Sequence, residues 1–573
     1  MKKSRKFVTL AVPLLCLGLT GCFVKKGSQV VIKKDTINVK LLLGGYGTEW
    51  MTKAIKQFEQ IYAEEGYKVN LITPTKTVEG NAVYNDLVSG YAKKKVDVYF
   101  TGSLKPYRCV DEGRILVEDI TDTVYNQKAI KFDGTEEELT VEEKLDPSFG
   151  DEWYQMNGRS YGFFYMKSIG SLVVNREKLF SFGYDHLPVT SNEFLEMVHH
   201  ITLENLNGRT KVKPFVSTVN GTNGVTGYAS VMMNSWFTQY SGADAWNTFW
   251  SMNNPDGSYN TETGYEVYLD EGLHKAAQLL WDAYDMNNFV KGSKNFSITD
   301  AHDSVMLPKS QTGGVFVFDG DWAYNETKAN WTEEELQALS FINVPLISAL
   351  GTKLWGDIIT DEAECDRVLS RVASLADEGK EVSEIKTLVE SEFPYTLSEE
   401  SILRVCEARG VYNNRGVETG NCYLARGIGD HHKDIASKFL RMLASDDFSK
   451  MYFSTSKCFS PYSKVVDETV ELSPFHVGVT QIASHKYASV IWPMTTGLRA
   501  KTGELEAMYP GTKQYLHSYA LESQNTAYND QANPRYLRDN SSELYQQWAE
   551  GTLSERYDYI RSQWSEWVRP FVG

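Results

Sequence analysis

Acidic side chains outnumber basic ones by 75 to 58 in this chain of 573 residues, and the net charge of −17 argues against a nucleic-acid partner, because phosphate backbones are bound by clustered Lys and Arg. The length is too great for one hydrophobic core, so two or more lobes are expected. No two of the seven cysteines have CxxC spacing, which argues against a zinc knot or a disulfide framework.

Lys2, Lys3, Arg5 and Lys6 precede an apolar run from Phe7 to Leu19. The run is too short to span a bilayer. It ends in Leu19-Thr20-Gly21-Cys22, small residues before a cysteine, the pattern of a cleaved leader. This stretch resembles the lipobox of bacterial lipoproteins. The resemblance implies cleavage before Cys22 and lipidation of its thiol, which places the protein on the outer face of the cell membrane. Residues 1–21 are then a signal peptide, and 22–35 a polar tether. No acid lies in residues 1–21, so loss of the four basic residues takes the net charge to −21. Attachment then rests on the lipid and not on a basic surface.

Ile37 to Leu43 is rich in β-formers and predicts a strand, followed by a tight turn over Gly44-Gly45-Tyr46-Gly47. Trp50, Ala54, Ile55, Phe58, Ile61 and Tyr62 fall on one helical face. Lys68–Ile72 and Val96–Phe100 predict further strands, so the pattern is α/β. Ser171–Asn175 is another strand. Thr190 to Glu193 is a capping box that opens a helix. Gly313–Phe318 is a mostly apolar strand that runs into Asp319-Gly320-Asp321-Trp322. Residues 361–408 are charged, show helical spacing and lack strand signals. Ile435, Phe439, Leu440 and Leu443 mark an amphipathic helix, and Thr552 to Glu555 caps a terminal one. Past Cys22, five cysteines (Cys109, Cys365, Cys406, Cys422 and Cys458) read as small buried residues. The sequence leaves a Cys406–Cys422 bridge open. The adjacent pairs His199-His200 and His431-His432 diverge on a helix and read as surface residues, not metal ligands.

The order of these elements carries a resemblance. The turn Gly44 to Trp50 leads into Lys56-Gln57-Phe58-Glu59. Asp97-Val98-Tyr99-Phe100 is followed by Gly113-Arg114-Ile115-Leu116 and Asp119. Gly158 to Gly162 runs to Val174-Asn175-Arg176-Glu177-Leu179-Phe180. Phe318 to Trp322 precedes Ile342 to Pro345 and Lys433 to Leu440. Together with the lipobox, the chain resembles the extracellular carbohydrate-binding proteins of ABC importers, the family that includes maltose-binding protein. The resemblance implies a two-lobe α/β fold of periplasmic-binding-protein type II, with a hinge crossed three times. Lobe one is then 36–168 and 424–486. Lobe two is 170–422 and 488–573, with a helical insertion at about 361–421 that smaller members lack. It implies a monomer that captures a carbohydrate by hinge closure and delivers it to ABC permease subunits, with no cofactor and no metal. The sequence leaves two alternatives open: another solute, such as a peptide or polyamine, and a secreted glycoside-active enzyme.

Sugar recognition needs carboxylates or amides for hydroxyls and flat aromatics for C–H faces. Ligands meet open α/β sheets at strand ends. Asp319, Asp321 and Trp322 follow a strand, and Thr101 ends another. The resemblance places a sugar-stacking aromatic at Trp322 and a second cleft aromatic at Trp236. It also turns Tyr46, Glu49 and Trp50 toward the cleft, although Trp50 is equally well read as the first core residue of its helix. Tyr165 lies near the first hinge crossing. Gly45 to Trp50 nearly matches GxGxxG, but Trp50 stands where the dinucleotide fingerprint needs glycine. Neither HExxH, GxSxG nor GxxxxGK[ST] occurs.

Overall fold

The computed structural model describes residues 29–572, apart from 42–44, 74–79, 102–103, 105–108, 112, 151–153, 217–225, 284, 294–295, 415–419, 493–495, 500 and 503–553. Cys22 and Thr552 lie outside the described residues, as does Gly44.

Lobe one is built on a five-stranded sheet in the order Gly162–Phe164, Asn421–Leu424, Val98–Thr101, Thr36–Leu41, Lys68–Ile72. Strand Thr36–Leu41 runs parallel to both neighbours, and Asn421–Leu424 is antiparallel to both of its own. Ile37, Val39 and Leu41 are buried with Asn38 between them, as expected for a parallel strand covered on both faces. Helix Glu49–Ile61 buries Trp50, Met51, Ala54 and Phe58, one face at helical spacing. Its Phe58 ring meets Phe439 of helix Asp430–Leu443 edge-on at 5.3 Å.

Lobe two is built on a six-stranded sheet. Lys213–Phe215, Gly314–Gly320, Ile169–Asn175, Val411–Asn414 and Ser489–Ile491 lie in that order, and Leu339–Ile342 also pairs with Ile169–Asn175. The expected capping box is present: the Thr190 side chain accepts from the Glu193 amide, and the Glu193 carboxylate closes it from the other side. Helices Glu362–Asp377, Val382–Glu392 and Glu399–Arg409 occupy the insertion. Their buried residues, among them Val368, Val372, Ile385 and Val405, share one apolar cluster with Trp236, Phe194 and Trp355 of lobe two. The insertion thus elaborates lobe two and has no separate core. It also contains strand Val411–Asn414, which pairs with the central strand of the sheet. Terminal helix Ser554–Trp567 docks through Trp564, whose indole donates to the Thr261 carbonyl at 2.8 Å.

Two boundaries differ from the sequence reading. Lobe one resumes at Asn421, three residues before the expected 424, because the whole of Asn421–Leu424 pairs within its sheet. Helix Pro474–Ala483, expected in lobe one, belongs to lobe two. Its Phe475 and Val479 pack with Phe341. A Cβ on Gly478 would come 1.8 Å from the Phe341 carbonyl oxygen, so only glycine permits that approach. The third crossing therefore lies before residue 474. Near it the chain pairs with the first crossing, where the Lys167 amide donates to the Phe459 carbonyl at 2.8 Å.

The five described cysteines are buried, and Cys365, Cys406, Cys422 and Cys458 are free thiols. Cys406 sits in a lobe-two helix and Cys422 in the lobe-one sheet, so the bridge left open by the sequence does not form. His432, read as a surface residue, instead places Nδ1 2.7 Å from the wholly buried Asp97 carboxylate. No described helix is long and apolar enough to cross a membrane.

Candidate functional site

The lobes meet where two strands end. In lobe one, strand Thr36–Leu41 leads to the turn Gly45–Thr48 ahead of helix Glu49–Ile61. In lobe two, strand Gly314–Gly320 leads through Asp321 and Trp322 into the short helix Ala323–Thr327. The Tyr46 phenol donates a hydrogen bond to Asp321 Oδ1 across this junction. Glycine is required on both sides. A Cβ on Gly45 would lie 2.7 Å from Trp322 Cβ and 2.9 Å from Glu326 Oε1. A Cβ on Gly320 would lie 2.1 Å from the Trp322 ring. Trp322 thus lies over Gly320 and against the facing lobe, half-buried.

Behind this contact stands an acidic group. Asp319 is wholly buried, with Oδ2 2.6 Å from His302 Nε2 and Oδ1 accepting from the Gly320 amide at 2.8 Å. His302 is carried by helix Ile298–Met306, and its Nδ1 lies 4.0 Å from Glu326 Oε2. Burial pushes the Asp321 carboxyl up to about 7, although the Tyr46 hydrogen bond favours the charged form. Burial, with the nearby Asp319 charge, pushes Glu326 up to about 7 as well. Burial works against charge on His302, but Asp319 more than offsets it and the imidazole is raised. Burial and Asp321 together raise the Tyr46 phenol well above its ordinary value. The arrangement suits hydrogen-bond donors and positive charge more than anions. Among the described residues no group of three His, Cys, Asp or Glu side chains converges as a metal set.

Of the nine residues expected at a ligand, the structure brings Tyr46, Asp321 and Trp322 together, with Asp319 behind them. The other five stand elsewhere. Trp50 is a core residue: it stacks on Tyr165 at 5.5 Å and meets Phe100, Phe448 and Tyr452 edge-on, and its indole donates to the Gly47 carbonyl. Tyr165 is buried in the same aromatic group. Trp236 is wholly buried and donates to the Pro345 carbonyl at 2.9 Å. Its helix Thr226–Ser241 packs against helices Ala243–Ser251 and Glu271–Ala283 and against the sheet, so no face is left for a cleft. Thr101 is wholly buried within its sheet, opposite Asn421. Glu49 is exposed and pairs with Lys53 one turn on.

Sequence reasoning missed Glu326 and His302. Glu326 follows Trp322 by one helical turn, a spacing that could have found it. His302 lies on a separate helix, and nothing in the sequence ties it to Asp319.

A cavity of about 1360 Å³ lies at the crossings, lined among others by Lys144, Asp146, Lys167, Tyr412, Asp446 and Tyr462. Two ion pairs stand in its wall: Lys167 with Asp146 at 2.6 Å and Lys144 with Asp446 at 2.9 Å.

No protein-family model matches the chain, and no curated protein sequence does. Solved structures do. A chitin oligosaccharide binding protein is 11% identical with a TM-score of 0.50, covering 87% of this chain and 98% of its own. Maltose-bound MalE3 of T. maritima is 14% identical with a TM-score of 0.50, covering 89% of this chain and 98% of its own. The likeness shows the fold: two α/β lobes of the maltose-binding-protein type.

Proposed function

We propose that this chain is the substrate-binding lipoprotein of an ABC importer. It is held by lipid on Cys22 at the outer face of the cell membrane, and it captures a carbohydrate between its lobes for a membrane permease. One observation carries the reading: an aromatic and carboxylates at a lobe-two strand end meet a glycine-tyrosine turn at a lobe-one strand end. Two proteins with this fold are a chitin oligosaccharide binding protein and the maltose-bound MalE3. A ligand touching both lobes binds the closed arrangement better than the open one and shifts the population toward closure. The permease then reads the closed form. The reading is binding without turnover: the Asp319 carboxylate is engaged by His302 and the Gly320 amide, which does not suit it to a glycosidase role.

Calorimetry of the chain from residue 22 onward against a panel of oligosaccharides tests binding, and chromatography of the same mixtures tests turnover. Breakdown of the sugar would replace this reading with an enzymatic one. Trp322→Ala gives a residue-level check. Loss of stacking, about 0.5–1.5 kcal/mol, and of about 2 kcal/mol from area burial lowers affinity roughly a hundredfold. The Cys22→Ala chain is expected in the soluble fraction; full retention in membranes would refute the anchor.

A further inference from the structure

We propose that the junction between the lobes is a recognition site for a protonated amine, so that the captured ligand carries a primary ammonium group. Within the carbohydrate reading, on which this rests, the ligand class is an amino sugar.

Asp319 has Asp321, Glu326 and one imidazole, His302, for neighbours. Asp319 and His302 satisfy one another at 2.6 Å. Asp321 and Glu326 are left; Glu326 Oε2 lies 4.0 Å from His302 Nδ1, and 31% of its side chain is exposed. Asp321 is only 4% exposed, and its Oδ1 takes the Tyr46 phenol. Its Oδ2 is buried with no hydrogen-bond partner, as are Glu326 Oε2 and His302 Nδ1. Among the described residues no Lys or Arg pairs with Asp319, Asp321 or Glu326. Asp146, by contrast, has its cation in Lys167 at 2.6 Å. Native chains rarely leave buried carboxylate oxygens without donors, and buried charge without a partner is costly.

The missing partner must supply donors and positive charge together. A neutral hydroxyl offers one donor and no charge. An ammonium offers three donors and a full charge, and its hydrogen bonds to carboxylates are the stronger kind. Tyr46 shows where such a group would sit, because its phenol already donates to Asp321 from the facing lobe. The position also explains how amine capture would join the lobes. Glu326 Oε1 stands beside the place of a Gly45 Cβ, so one cation there faces carboxylates of lobe two and the turn of lobe one. Burial holds both Asp321 and Glu326 at about 7, so an arriving ammonium displaces protons from them. The titratable groups facing Asp321 are Tyr46, Tyr452 and Cys458 from lobe one and Asp319 from lobe two. Those facing Glu326 are Asp319 and His302, and Asp303 also acts on His302.

The test is calorimetry at pH 6.5 on the chain from residue 22 onward. The probes are glucosamine oligomers, their N-acetylated counterparts, malto-oligosaccharides and spermidine. Glucosamine oligomers are expected to bind about tenfold more tightly than the N-acetylated forms. That preference is expected to shrink about tenfold in Asp321→Asn and in Glu326→Gln, with melting temperature confirming that each variant folds. Proton release should make the binding heat depend on the ionisation enthalpy of the buffer. Equal or tighter binding of acetylated or neutral sugars, or a preference that survives both substitutions, overturns the amine site and leaves the carbohydrate reading standing. Binding of spermidine with none of the sugars upholds the amine site and overturns the carbohydrate reading. Failure of both amine probes overturns the proposal.

Discussion

Asp146 and Asp321 are both carboxylates at junctions between the lobes, and they differ in what accompanies them. Asp146 stands beside the chain crossings, 2.6 Å from the buried Lys167 ammonium, which also lies 5.4 Å from the Tyr412 ring. Burial would raise the Asp146 carboxyl, but Lys167 holds it below the usual carboxylate range. Asp321 stands where the lobes face each other, with a phenol in place of a cation, and burial drives it up to about 7. The first acid is complete within the chain and serves the hinge. The second keeps an oxygen without a donor. Completeness separates a structural ion pair from a site that awaits a partner, and the two acids respond to pH in opposite directions.

The largest effect sharpens that opposition. Asp321 is raised on folding, so its contribution is fully present below its ordinary value of 3.8 and is lost as pH rises through about 7. Removing the ionisable group removes that loss. At pH 8, Asp321→Asn should therefore stabilise the protein by about 2–4 kcal/mol relative to pH 4, at 1.36 kcal/mol per pH unit. Melting temperatures of both proteins across pH 4–8 check this, and parallel profiles would show that Asp321 is not buried in charged form. Glu326 is raised in the same way, so the variant keeps part of the slope. For Asp146 the sign reverses. Its contribution is present above its ordinary value and is lost as pH falls through the lowered one.

The next effect removes the partner from the complete pair. Lys167→Met leaves the Asp146 charge with no cation, at a cost of about 2–3 kcal/mol. This is below the full cost of an orphaned buried charge, because 17% of the Asp146 side chain stays exposed. Denaturant unfolding at pH 7 measures it. The loss should shrink as pH falls and Asp146 takes up a proton. A variant as stable as the wild type at pH 7 would place Asp146 among the unpaired acids and erase the comparison.

Much of this architecture was legible in the sequence, because strands such as Thr36–Leu41 and Gly314–Gly320 are runs of β-formers closed by glycine-containing turns. The capping box at Thr190 and Glu193 is a local signal, and local signals survive folding. Side-chain roles were less legible. Trp50, Trp236 and Trp322 are chemically alike, and what separates them is how many elements surround each. That is set by tertiary packing, such as the helices around Trp236. The lobe of helix Pro474–Ala483 was misread for the same reason, since Gly478 meets the Phe341 carbonyl from more than 130 positions away. Asp319 and Asp321 were legible as a pair at a strand end. Their separation into one acid engaged by His302 and one open to the facing lobe depends on a helix whose sequence carries no mark of it.

The smallest effect tests the donor that Asp321 does have. Tyr46→Phe removes the hydrogen bond between the lobes and keeps the ring. A hydrogen bond to a neutral acceptor contributes about 1 kcal/mol net, and one to a charged acceptor about 1.5–3 kcal/mol. Below pH 7 the Asp321 carboxyl is mostly protonated, and above it mostly charged. The phenol itself stays protonated throughout, since burial and Asp321 hold it well above its ordinary value. The substitution should therefore favour separation of the lobes weakly at pH 5.5 and more strongly at pH 8.5. Small-angle scattering of ligand-free protein reads this as an increase in radius of gyration relative to the wild type at each pH. An equal increase at both values would mean that the Asp321 charge does not change in this range. No increase at either would mean that the phenol–carboxylate contact does not hold the lobes together.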